Sequence, residues 1–412
     1  MTSRRPKVCL VQYNSSRFLM RVDRSVRTLV ADGWDVVLIA IKDADTPAFE
    51  DRGDYVVKRV ELLSRRLPRW TRPLRFVEAA GKTFWAAYRE KADVYNPRDI
   101  YPMLVCLLAA WLRRAAVVTD SDELNLYRNW PWASRWYWKP LAKRYEGFFL
   151  RRAAACITSD EGRADVLAAE YDIPRPTVVL NVPDVIASLE PDRDFRARHL
   201  DASRWLLIYQ GIFAANRGLP QLVSAMKQLD DCALVLLGMG QLRDELLDQI
   251  EREGLGDRVT VCDAVPYAQM MRIVAACDAG LMPIVGSCLS YVYAAPNKLF
   301  EDMMAGIPVV ASDLPDMAAI VRAEGIGTLI ADPESPASIA AAVRQLLDDP
   351  EPPQVKGERG RAAALALYNW DVEKQKLLAT WRRVRAERLA GSPSGSDAAD
   401  GDAAGSGPAI EG

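Results

Sequence analysis

The densest chemistry in the sequence lies in Pro296-Asn297-Lys298-Leu299-Phe300-Glu301. This run follows Ser290-Tyr291 and precedes Met304-Ala305-Gly306-Ile307-Pro308-Val309-Val310-Ala311-Ser312. The pattern is a polar loop, a helix beginning near Asn297 and stopped by Gly306, then a buried strand. The unpaired N–H groups and positive dipole end of such a helix point at the loop, where an anionic phosphate fits. Glu301 lies one turn in, within reach of the vicinal hydroxyls of a ribose. On spacing alone, a proline-capped helix with a solvated glutamate accounts for the segment equally well.

A second cluster is Tyr209-Gln210-Gly211 followed by Asn216-Arg217-Gly218. Gly211 lets the backbone turn close to a ligand, and a guanidinium such as Arg217 can take two phosphate oxygens at once. Alone, Arg217 also reads as a surface arginine at a helix entry. Gly238-Met239-Gly240 spells part of a dinucleotide fingerprint, but the third glycine position holds Arg243. It is read as a tight turn lining the same cleft. Asp120-Ser121-Asp122 spells D-x-D, a pattern that can bridge a divalent ion to a diphosphate. Its place in the other half of the chain favours a polar strand end at the cleft, so no metal ligand is assigned. His199 is the one histidine, which nearly excludes His-based zinc sites and Ser-His-Asp triads.

The elements that must hold these residues alternate between strand and helix. In the first half Val8–Tyr13, Asp35–Ile41 and Ala116–Thr119 read as strands, with helices at Val22–Ala31 and Leu104–Arg114. The pattern restarts with strands near 205–209, 233–237, 258–262, 280–283 and 308–312. Helices near 219–229, 242–253, 268–276, 298–305 and 336–347 separate them. Alternation of this kind gives βαβ units and parallel sheets. The fold expected is α/β with two Rossmann-like doubly wound domains, ligands binding at the carboxyl ends of the strands. The boundaries are 1–190, 191–365, a C-terminal helix at 366–389 packing back toward the first domain, and a disordered Gly/Ser/Asp-rich tail at 390–412.

The segment around Glu301 resembles the donor site of retaining glycosyltransferases of family 4, which have the GT-B fold. It is closest to the branch worded Pro-Asn-Lys-Leu-Phe-Glu. The resemblance spans about residues 6–385. It implies that Glu301 binds a nucleotide ribose and that Arg217 is the phosphate-binding cation. Asn297, Lys298 and the loop amides would hold the diphosphate, Val265 the base, and Gly211 and Gly238 the cleft turns. Tyr293 stands where the wider family has a second glutamate. Asn14, Ser15, Ser16, Asn96, Asp99 and Asp122 would form the acceptor side, Asn96 and Asp122 at positions where the family usually has histidines. The implied activity is metal-independent hexosyl transfer from a UDP- or GDP-sugar to a glycan or lipid-linked acceptor in cell-surface polysaccharide or glycolipid assembly. Arg217 and Glu301 would be catalytic, and no cofactor is implied. A sugar-nucleotide-binding protein without transfer activity and a sugar-nucleotide epimerase of the same architecture are the alternatives.

Charge separates the two halves. Residues 1–190 hold 31 Lys and Arg against 24 Asp and Glu, and the remainder 22 against 31. The acidic second half argues against nucleic-acid binding. Residues 56–91 carry ten cations against three acids, and 128–152 mix tryptophans with Lys and Arg. Such segments suit an anionic membrane surface, or equally a solvated basic face. The apolar run Ile100 to Leu112 contains a proline and reads as a buried helix, too short to span. The N-terminal apolar run breaks at Gln12, and the seven cysteines are single, so a cytoplasmic protein is expected, peripheral on the membrane's inner face if the membrane reading of those segments holds.

Overall fold

Two short-period hydrophobic patterns build two parallel sheets. The computed structural model describes residues 4–15, 20–66, 72–128, 138–200 and 205–390. The first sheet holds β1 (Lys7–Val11), β2 (Asp35–Ile41), β3 (Phe49–Asp51), β4 (Val56–Val60), β5 (Val94–Pro97), β6 (Ala116–Ser121), β7 (Ala155–Thr158) and β8 (Thr177–Val178). Their order is β3-β4-β2-β1-β5-β6-β7-β8, parallel throughout except for the antiparallel edge pair β3–β4. The second sheet holds β9 (Trp205–Ile212), β10 (Cys232–Met239), β11 (Val259–Asp263), β12 (Ala279–Met282), β13 (Val309–Ser312) and β14 (Gly327–Ile330). Its order, β11-β10-β9-β12-β13-β14, reverses direction at β9, the switch point where such sheets bind ligands.

Helices cover both faces. The first domain uses α1 (Met20–Ala31), α2 (Arg72–Arg89), α3 (Met103–Arg113), α4 (Trp138–Leu150) and α5 (Glu161–Tyr171). The second uses α6 (Arg193–His199), α7 (Leu219–Ala225), α8 (Arg243–Arg252), α9 (Tyr267–Val274), α10 (Leu289–Val292), α11 (Asn297–Ala305), α12 (Pro315–Glu324), α13 (Pro336–Leu347) and α14 (Pro353–Ala366). The last helix, α15 (Trp370–Ala390), returns to the first domain. Its Trp370, Leu377, Leu378, Trp381 and Val384 join the core formed by β1, β2 and α1. The Trp370 backbone N–H donates to Pro183 O at 2.8 Å, and its indole to Thr28 Oγ1 at 2.9 Å.

α3 departs from expectation. Met103, Val105, Cys106, Ala109 and Ala110 are buried against the sheet, but Leu104, Leu108, Trp111 and Leu112 face out, Trp111 at 74% exposure. A run apolar on all sides reads as a buried helix; one side of it is a surface. Ser16, the aromatic stretch 129–137 and the tail 391–412 lie outside the described residues. Among the described residues no helix is long and apolar enough to cross a membrane.

Candidate functional site

Close backbone packing shapes the second domain's side of the cleft. At the end of β9 Gly211 has φ +131°, and a Cβ on Gly238 would lie 1.8 Å from its carbonyl oxygen. Gly218 has φ +65°, and a Cβ there would come within 2.1 Å of Pro283 O, so glycine is required twice over. This turn sets Arg217 on the wall of a 450 Å³ cavity, its guanidinium 5.1 Å from the Tyr291 ring centroid. α11 opens onto the same cavity, with Asn297, Lys298 and Glu301 in its walls beside Tyr209, Gln210 and Gly211. Its first residue follows Pro296, whose extended backbone leaves the helix start without a side-chain cap.

The electrostatics set an unpaired buried amine beside a carboxyl in the cavity wall. Lys298 is buried with its Nζ 3.4 Å from the Tyr209 ring centroid and no hydrogen-bond partner. Burial, then the Arg217 charge, pulls its pKa down to about 7, against the attraction of Asp302 and Glu301. Burial pushes Glu301 up to about 7, with Arg24 and Lys298 opposing. Behind them Asp302 is fully buried, accepts from Gln210 Nε2, and is raised well above the carboxylate range by desolvation. A buried cation without a partner has the most to gain from a diphosphate.

Three of the residues expected at the nucleotide site stand off the cavity wall. Gly238 packs on the Gly211 backbone and supports the turn. Val265 is packed against the core on β10 and α9. The Tyr293 ring lies against Gly162 of α5, and its carbonyl accepts from Arg163 Nε at 2.7 Å.

On the first domain's side, a smaller cavity of 320 Å³ adjoins the larger one, sharing Met20, Asp122, Glu123, Asn181 and Asn297 with it. Asn14, Asp99 and Asp122 line it. Asn96 does not: its Nδ2 donates to Val118 O across the sheet, which buries the amide. Ser15 is absent from its walls, and its carbonyl accepts from Arg59 Nε at 2.8 Å. The D-x-D carboxylates are held by guanidiniums. Arg21 reaches Asp120 at 3.3 Å and Asp122 at 2.7 Å, and Arg98 reaches Asp120 and, at 2.9 Å, Asp122. Burial works against the Asp122 anion, but the Arg98, Arg21 and Arg163 charges outweigh it and hold its pKa low.

Sequence reasoning missed Gln12, Asp160, Arg163 and Asp302. Asp160 precedes a helix and looks like a cap, yet its side chain makes no cap bond. It accepts instead from the Ala295 N–H at 2.7 Å and pairs with Arg163 at 2.9 Å. Arg163 also donates to Ser290 O at 2.9 Å and to the Asp122 carbonyl. These two side chains tie the loop before α11 to the first domain.

Comparison with known proteins divides the chain into the same two halves. Residues 19–183 match the glycosyl transferase 4-like domain, and residues 191–363 match glycosyl transferases group 1. The chain is 28% identical over 259 residues to 2-deoxystreptamine glucosyltransferase of Streptomyces kanamyceticus, covering 56% of this chain and 64% of that protein. It is 24% identical over 256 residues to alpha-D-kanosaminyltransferase of the same organism, covering 60% and 64%. The chain thus spans less than two thirds of the length of these curated relatives. Sucrose-phosphate synthase from Thermosynechococcus elongatus superposes with TM-score 0.77 at 21% identity, over 93% of this chain and 100% of that one. Anabaena HepE, solved with UDP, superposes with TM-score 0.70 at 16% identity, over 92% and 100%.

Proposed function

The chain carries the two domains of GT-B glycosyltransferases in the GT-B fold, and on that premise we propose that it transfers a sugar from a nucleoside-diphosphate sugar to an acceptor hydroxyl. The observation that carries this reading is the convergence of Arg217, Lys298, Glu301 and the start of α11 on one cavity that opens into a second, polar one. The diphosphate sits against Arg217, Lys298 and the free N–H groups of α11. Glu301 receives the ribose hydroxyls and so fixes the position of the reacting carbon. The bond between the anomeric carbon and the diphosphate oxygen breaks, and the cations stabilise the charge that develops on that oxygen. The acceptor oxygen bonds to the same carbon from the leaving-group side, its proton passing to the departing diphosphate, so the anomeric configuration is retained. No metal is required, because the cations supply the positive charge.

A thermal-shift screen against UDP, GDP and ADP and their sugars, with and without magnesium, tests this. The matching nucleotide at a hundred times its Kd adds about 2.7 kcal/mol of stability without metal. No shift with any of them removes the donor site. The product anomer, read by NMR from the glycosidic coupling, checks retention.

The acceptor is membrane-borne in this reading. More than half of the exposed large apolar side chains among the described residues lie on α2, α3 and α4, including Val77, Trp85, Leu108, Trp111, Leu141 and Phe148. Arg89, Arg113 and Arg152 stack over rings in the same layer. Cosedimentation should show binding to vesicles containing phosphatidylserine, weakened by salt and by Trp111→Ser, and none to phosphatidylcholine alone. Equal binding to both, or to neither, defeats the membrane assignment.

A further inference from the structure

Gln12 follows the end of β1 on the wall of the smaller cavity and is 1% exposed. Among the described residues no group pairs with either its Nε2 or its Oε1. A carboxamide offers two donors and an acceptor, and holding both ends unpaired in a buried site is costly. A ligand that satisfies it must both donate and accept. Hydroxyls do this, and a pair of neighbouring hydroxyls does so at both ends at once. A phosphate or carboxylate supplies acceptors alone.

The charges around Gln12 point the same way. Arg21 and Arg98 are each shared between Asp120 and Asp122. Arg128 pairs with Glu123 and lies 4.0 Å from Asp99. All seven groups line the cavity, and among the described residues that line it these four carboxylates face three guanidiniums, so none of those guanidiniums is left over for an anionic ligand. At 320 Å³ the space is at the small end of ligand pockets, which run roughly 300–1,000 Å³, and suits a single ring with its hydroxyls. Asp122 and Asn297, shared with the larger cavity, mark the opening through which such a hydroxyl meets the donor.

We propose that the smaller cavity is an acceptor subsite for an uncharged or amine-bearing polyol, a sugar or cyclitol ring, gripped by the Gln12 carboxamide, and that it rejects phosphorylated and acidic rings. The proposal deepens the transferase reading and rests on it for the word acceptor. The ring-binding step itself is independent of it.

Calorimetric titration of the full chain, alone and with UDP, tests the assignment. The probes are methyl glucoside, glucosamine, glucose 6-phosphate and glucuronate. Methyl glucoside and glucosamine should bind at least tenfold more tightly than the two anions. Gln12→Met, close in volume, and Gln12→Ala should each weaken methyl glucoside about tenfold, as expected for a lost pair of buried hydrogen bonds. UDP affinity in the same variants should be unchanged, and thermal melting shows that each is folded. Tighter binding of either anion, unaltered ring binding in both folded variants, or no binding of any ring overturns the proposal. If the rings bind through Gln12 but UDP does not bind at all, the subsite stands and the transferase reading falls.

Discussion

Arg217→Ala and Glu301→Ala each lower kcat/KM for sugar transfer by about 30- to 1,000-fold, on the order of 2–4 kcal/mol of transition-state stabilisation. The two losses divide differently. Charge on the departing diphosphate grows along the reaction, so a guanidinium facing it counts for more at the transition state than in the bound donor. Arg217→Ala therefore falls mainly on kcat. In the proposed reading the ribose keeps its contacts with Glu301 throughout, so Glu301→Ala falls mainly on KM. Arg217→Lys keeps the charge but not the two-pronged geometry, and recovers part of the rate. Steady-state kinetics on the four proteins decide the matter, and near-normal turnover in either alanine variant refutes the role assigned to that residue.

The second large effect runs the opposite way, toward stability. Glu301→Gln should stabilise the unliganded protein by about 3 kcal/mol above neutral pH while weakening the donor site. The folded-state pKa of Glu301 is raised from 4.5 to about 7. Its contribution to stability is therefore complete below 4.5 and is lost as pH rises through 7, where the buried carboxyl must ionise. Lys298 is the mirror case. Its pKa is depressed from 10.5 to about 7, so its contribution is complete above 10.5 and is lost as pH falls through 7. The two together place a minimum of unliganded stability near neutrality. Urea unfolding at pH 4.5 and pH 8 separates the outcomes. Glu301→Gln should match the parent at the lower pH and exceed it at the higher. An equal change at both means that packing, not ionisation, is responsible.

Legibility in the sequence followed the range of the forces involved. Asp35–Ile41 and Pro336–Leu347 have the bounds the pattern predicts, because apolar periodicity and a proline at a helix start act locally. The helix over Asn297–Ala305 stops at Gly306, which has φ +80°, as the Gly-stop signal implies. Arg217, Lys298 and Glu301 meet in one cavity as the wording of their segments suggested. Asn96 and Asp160 were opaque because their roles depend on a neighbour distant in the chain. One amide turns to the Val118 carbonyl, and one apparent cap reaches 135 residues along the chain to Ala295. Gln12 was invisible for a different reason: its meaning lies in what fails to surround it. α2 was seen only as a basic stretch, since its apolar face is divided between core and surface.

The packing of α15 bears on how the molecule comes into being. The first domain's core contains Trp370, Trp381 and Val384, with Trp381 edge-on to Trp34 at 5.6 Å. Leu180 N–H is held by Glu373, and Arg382 Nε by Asp32 at 3.0 Å. During synthesis the residues of β1 to β8 therefore emerge from the ribosome without the helix that completes them. The second domain lies between, and its own strands and helices have all been made before α15 appears. Until α15 emerges, the half that begins first keeps apolar faces of α1 and its sheet uncovered. Docking of α15 closes the first domain's core and joins the two domains by a second crossing in the same event.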